Sequence, residues 1–258
     1  MVGPGLALLI IAAWIACHVA GVFFARPWEQ PAWLLLIPLQ CWLCVGLFIV
    51  AHDAMHGSLV PFRPALNRAI GSLCLLLYAG FSYRALLSQH MYHHRYPGTE
   101  RDPDFHPAGP RRFWPWYFAF FRHYFGVREF AVMAGISGLY MLILRVPPEN
   151  ALLFWALPAI LSSLQLFGFG TYLPHRHGDE PFGDAHNARS NEFSWPVSLL
   201  TCFHFGYHHE HHDHPGVPWW ALPGLRRDRA EIQAGRVQSP SRGIAGSSPL
   251  RERTVTPP

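Results

Sequence analysis

Apolar positions in this chain come in long unbroken blocks rather than at the period of a strand or a soluble amphipathic helix. Residues 6–25 are almost wholly apolar, about the twenty needed to cross the hydrocarbon of a bilayer. A short polar turn at 26–31 leads into a second apolar run, 32–51, which ends directly at His52-Asp53. Residues 66–82 are apolar but shorter, with Arg63, Arg68 and Arg84 close by. A polar loop rich in proline and glycine, 95–112, precedes an aromatic stretch at 113–125. Two further apolar runs, 127–146 and 151–173, are separated by Pro147-Pro148-Glu149-Asn150. From Arg226 onward the chain is rich in Arg, Ser, Pro and Gly and has no apolar period.

This pattern predicts an all-α integral membrane protein with four transmembrane helices plus interfacial helices. One domain would occupy residues 1–225, and a disordered polar tail residues 226–258. The 66–82 segment reads as a half-buried helix that returns to its own side, because a full crossing would part the polar segments on either side of it. The 113–125 stretch reads as an aromatic belt at the membrane interface, with a stacking platform for a conjugated ligand as the lesser reading. Residues 6–25 lack a basic region before them and a small-residue cleavage signal after them, so a retained span is expected rather than a signal peptide.

Composition sharpens this. Half of the residues are hydrophobic and 14 % are charged, which suits a membrane protein better than a soluble domain. Every one of the 20 basic residues is arginine. The net charge of +4 is spread over loops and tail, which is no nucleic-acid footprint. Most arginines fall on the side that four spans would share with both termini, while Arg26 and Arg145 fall on the other. The positive-inside bias then makes the first side cytoplasmic, in an inner-membrane, multi-pass topology. The five cysteines all lie in apolar stretches and read as small buried hydrophobes. His18, inside the first run, reads as a packed, hydrogen-bonded residue.

The chemistry is concentrated in histidine. Residues 203–215 read FHFGYHHEHHDHP, and His208, His211 and His212 fit H-x-x-H-H. On a continuous helix these share one face, with His204 one turn earlier and His209 pointing elsewhere. His52 and His56 form a second box, His90, His93 and His94 a third, and His175 stands alone after the last apolar run. The count is two, three, one and three. One zinc takes four ligands, so nine imidazoles suit a di-metal site at the cytoplasmic helix ends. Imidazole alone does not choose between iron, zinc, copper and nickel. Metal-bound imidazoles usually donate their second N–H to a carboxylate or carbonyl. Asp53, Asp102 and Asp104 are candidates for that role, and His186 and His204 are further candidates near the metals. The residues that would bind substrate are not legible. A membrane haem protein with axial histidines and a metal transporter are the readings from other classes. Paired boxes over-supply a haem, and boxes at helix ends do not suit a midplane transport site.

The two-three-one-three pattern resembles the membrane fatty acid desaturase and hydroxylase superfamily. The longer strings HDAMHGSLVP, QHMYHHRYPGTERDPDFHP, FGTYLPHR and TCFHFGYHHEHHDHP are similar to those of bacterial CrtW-type β-carotene ketolases, over about residues 42–223. The resemblance implies a non-haem di-iron oxygenase with two iron ions as cofactor and O2 as co-substrate. It implies ligands at His52, His56, His90, His93, His94, His175, His208, His211 and His212. Its expected reaction oxidises the 4-position of a β-ionone ring by two hydroxylations and loss of water. That takes β-carotene through echinenone to canthaxanthin, and zeaxanthin to astaxanthin. The implied partners are a carotenoid substrate, a ferredoxin-type electron donor and the lipid bilayer, with no nucleic acid. A carotenoid hydroxylase or acyl-lipid desaturase of the same superfamily is the nearest alternative. Desaturases carry asparagine in an N-x-x-x-H element where this chain has Thr171.

Overall fold

The computed structural model describes residues 2–178 and 180–233. Among the described residues there are helices and no strands. Three helices are long and apolar enough to cross a membrane: α1 (Val2–Phe24), α2 (Pro31–His56) and α7 (Pro148–His175). Two bent pairs lie between α2 and α7. Helices α3 (Pro64–Ala79) and α4 (Tyr83–Arg95) meet at 100°, and α5 (Phe113–Tyr124) and α6 (Val127–Ile143) meet at 78°. The short helices α8 (Trp195–Cys202) and α9 (His208–Asp213) and the helix α10 (Leu222–Gln233) follow.

Helix α2 is the hub. It packs on α1, α3 and α7, and Val45, Leu47, Ile49, Val50 and Ala51 are wholly buried. Trp14 of α1 donates its indole N–H to the Cys44 sulfur at 3.2 Å. His18 stacks on Trp14 at 4.6 Å and meets the Tyr140 hydroxyl at 2.9 Å.

Helix α2 ends where Gly57 turns left-handed at φ 72°. Helix α3 then runs back beside it. Gly71 lies where a Cβ would come within 3.2 Å of Ala54 and 2.3 Å of the Tyr83 ring, and further along Tyr78 meets Phe48. Only glycine leaves room for that approach. At Gly80 (φ 71°) the chain turns, Ser82 caps the next helix through the Ala85 N–H, and α4 returns. The Tyr83 hydroxyl fixes the return by donating to the Ala54 carbonyl at 2.9 Å. Past this bend the chain comes back toward the end of α2, and His90 arrives beside His56.

Two expectations are refined by the structure. The span expected at 127–146 is α6, which ends at Ile143 and qualifies only with the bent α5 before it. Gly126 is extended (φ −98°, ψ −168°) and breaks the two apart, and Arg145 turns left-handed (φ 55°). Three helices thus qualify alone, or up to five if each bent pair is one span, and the expected four lies within that range. The expected tail at 226–258 also begins too early. Helix α10 continues to Gln233, and Arg226 reaches Glu210 of α9 at 3.2 Å. Residues 234–258 lie outside the described residues.

Candidate metal centre

Four distant segments deliver the nine histidines to one place, in two groups. His52, His56, His90, His94 and His211 form one, and His93, His175, His208 and His212 the other. Within each group a ring nitrogen from every member lies within 4.8 Å of the rest. The division follows the spacing within each box. In each H-x-x-H-H box the i, i+4 pair goes to one group and the residue between goes to the other. His90 and His94 thus part from His93, and His208 and His212 part from His211. The two groups touch, with the rings of His94 and His212 at 4.4 Å.

The nitrogens face one another closely. Nε2–Nε2 distances are 2.7 Å for His56–His90, 3.0 Å for His94–His211, 2.9 Å for His175–His208, and 3.1 Å for both His93–His212 and His208–His212. Neighbouring nitrogens on one cation with bonds near 2.1 Å sit about 3 Å apart at right angles. Proton accounting leads the same way. The His175 Nδ1 lies 2.8 Å from the Asn187 carbonyl, which only accepts. The His93 Nδ1 lies 3.0 Å from each oxygen of Asp102. Each neutral ring has one proton and spends it there. Their Nε2 lone pairs therefore point at the nitrogens of His208 and His212. The Nδ1 atoms of His208 and His212 have no hydrogen-bond partner among the described residues, and a cation among the four Nε2 atoms would be shared by all of them, so the donor set fits a metal. Burial first, and neighbouring imidazoles second, hold His208, His211 and His212 well below the usual imidazole range. They stay neutral, as ligands must.

The outer partners are only partly those expected. Asp102 is 4 % exposed. Besides His93 it accepts from the Gly98 N–H at 2.7 Å and the Asp104 N–H at 2.9 Å. Asp104 lies 3.6 Å from the His93 Nδ1 and accepts from the Tyr124 hydroxyl. Asp53 lies 3.4 Å from the His52 Nδ1 and accepts from the Trp219 N–H at 3.0 Å. One expectation fails. His204 does not continue the α9 face, because Phe203 and His204 are left-handed (φ 48° and 62°) and break the helix before His208. Its ring lies among Trp195, Tyr207 and Trp219, outside both groups. His186 stays at the rim, its ring 6.1 Å from that of His212 and its Nε2 3.9 Å from Asp213. His209 turns away to Asp184 at 2.6 Å, as expected. Asn187 carries a role that spacing does not show. Its own φ of 43° aims its carbonyl at His175.

Replacing Asp102 with asparagine should weaken metal retention about 10- to 100-fold, the usual cost of losing an outer partner. Metal content after dialysis against a graded chelator measures it.

A cavity with about 920 Å³ of empty space, part of it open at the mouth, ends on this cluster. His52 and His90 of one group and His93 and His208 of the other line it. Its walls are mostly aromatic, including Phe48, Phe81, Phe120, Phe121, Phe125 and Phe205. The aromatic stretch read as an interfacial belt is thus divided by its helix. Trp114 and Phe118 are exposed, Trp116 and Tyr117 are buried, and Phe120, Phe121 and Tyr124 face the cavity.

Comparison with known proteins gives this geometry a context. The fatty acid desaturase family model matches residues 27–149 and 127–239. A beta-carotene ketolase from one Paracoccus strain is 55 % identical over 219 residues, covering 84 % of this chain and 89 % of that protein. A beta-carotene ketolase from a second Paracoccus strain is 51 % identical over 230 residues, 88 % of this chain and 93 % of that protein. Beta-carotene 4-ketolase 3 of Haematococcus lacustris is 37 % identical over 255 aligned positions, 87 % of this chain and 79 % of that protein.

Proposed function

As the chain belongs to the fatty acid desaturase family, we propose that it is a carotenoid 4-ketolase, oxidising the 4-position of β-ionone rings to a ketone. β-Carotene would pass through echinenone to canthaxanthin, and zeaxanthin to astaxanthin. The observation that carries the reading is the cavity, an aromatic slot with histidine nitrogens of both groups at one end. A long conjugated hydrocarbon fits such a slot end-on, with its ring at the histidines and its polyene outward. Apolar walls with a few polar groups at the reacting end are what such a ligand needs.

The residues that would hold two non-haem irons are His52, His56, His90, His94 and His211 for one, and His93, His175, His208 and His212 for the other. Bound there, the pair would supply activation of dioxygen for oxidation of the allylic C–H bond at ring C4. The protein's own part is to orient and to exclude. Asp102 and the Asn187 carbonyl fix two imidazoles in the tautomer that presents Nε2. Phe205 packs edge-on against His52 and His208, both at the cavity end. Aromatic walls keep water from the reacting carbon.

Each hydroxylation consumes one O2, two electrons and two protons. One oxygen stays on the ring and the other leaves as water. A second hydroxylation at the same carbon gives a geminal diol, which loses water to the ketone. The electrons come from a separate one-electron carrier of ferredoxin type. The arginines flanking the histidine boxes support placing that side of an inner-membrane protein in the cytoplasm.

Expression in cells that accumulate β-carotene, followed by pigment chromatography, tests the function. Rings carrying a 4-keto group are expected. Only 3-hydroxylated rings, or only unchanged β-carotene, would contradict it.

A further inference from the structure

Four hydroxyl-bearing side chains line the cavity: Tyr78, Tyr124, Ser163 and Thr171. Three have partners within the protein. Tyr78 accepts from Ser162 at 3.2 Å, Tyr124 donates to Asp104, and Ser163 donates to the Ile160 carbonyl and meets the Tyr117 hydroxyl, both at 2.7 Å. Thr171 has no hydrogen-bond partner among the described residues, although it is 8 % exposed. A hydroxyl that has no protein partner and opens on the cavity is available to bond a ligand seated there.

Its place is specific. Thr171 lies four residues before His175 on α7 and shares the cavity wall with His93 and His208. Over Phe167–Tyr172 the helix widens to a π turn, which re-aims side chains and is frequent at functional sites. Gly170, beside it, has no side chain to cover the hydroxyl and also lines the cavity. The one unspent hydroxyl of an otherwise aromatic slot therefore stands at the histidine end.

We propose that the Thr171 hydroxyl binds the oxygen installed at ring C4, retaining the half-oxidised ring for its second hydroxylation. The inference rests on the ketolase reading above and deepens it. After one hydroxylation the ring bears an alcohol, which gains a hydrogen bond that the starting hydrocarbon cannot make. Retention favours a second oxidation at the same carbon over release of the alcohol to the lipid. Thr171 makes no bond to carbon and transfers no electron. Its contribution is residence time.

The test is the product ratio in β-carotene-accumulating cells expressing the full chain or its Thr171→Val and Thr171→Ser variants. Valine keeps the shape and removes the hydroxyl, and serine keeps the hydroxyl. Thr171→Val should raise the ratio of 4-hydroxy to 4-keto rings about two- to ten-fold, the range of one neutral hydrogen bond. Thr171→Ser should stay near the parent ratio. An unchanged ratio in Thr171→Val overturns the proposal. So does a loss of both products in parallel, which marks a structural role. A parent chain that makes no 4-oxygenated ring overturns the ketolase reading itself, and the inference with it.

Discussion

Replacing His93 with alanine should remove one of the two proposed metals and lower ring oxidation by more than about a hundredfold, beyond the usual cost of losing an outer partner. His93 joins three parts of the centre. Its Nε2 faces His212 at 3.1 Å, its ring lies 4.8 Å from that of His175, and its Nδ1 is held by Asp102. Without it the four-histidine group keeps three members, and Asp102 keeps only backbone N–H groups as partners. The five-histidine group contains no His93 and should keep its metal. Metal content per chain should therefore fall from two to one, with activity lost and membrane insertion preserved. Metal analysis and pigment chromatography on the same preparation check both parts. Replacing His211 leaves four histidines in the other group, as many as the second group has intact, so activity should fall by more than metal content does.

Gly170→Leu should have a comparable effect on turnover by a different route, losing more than about tenfold in ketone formation with both metals retained. Gly170 lines the cavity, and a Cβ there would already approach the Phe205 ring at 3.2 Å. A leucine has to project into the slot or displace Phe205, which packs on His52 and His208. Either movement obstructs a ring seated at the histidines. No histidine of either group is replaced, so metal content should stay at the parent level. The contrast with His93→Ala separates failure of access from failure of the centre.

The histidines were legible because their spacing is local and their number unusual. What the sequence obscures depends on contacts between distant segments. The division of each H-x-x-H-H box between two groups arises only once four segments meet, since on an isolated helix all three rings share a broad face. His204 looked like one more member of that face, and only the left-handed turn at Phe203–His204 removes it. Asn187 acts through its backbone carbonyl, which no side-chain pattern announces. The return of α3 beside α2 was readable from the length of 66–82 and from the need to keep two boxes together. The bend between α5 and α6 was not, because an apolar run of near-crossing length looks the same whether or not the helix before it continues it. The aromatic run at 113–125 gave composition without direction. Helical packing then sent Phe120 and Phe121 to the cavity and left Trp114 outside.

Metal analysis of the purified, detergent-solubilised chain is the most direct measurement of the central claim. Two irons per chain, falling to one in His93→Ala, are predicted from a five-histidine and a four-histidine group. A single zinc per chain, or two irons that survive His93→Ala, would contradict it.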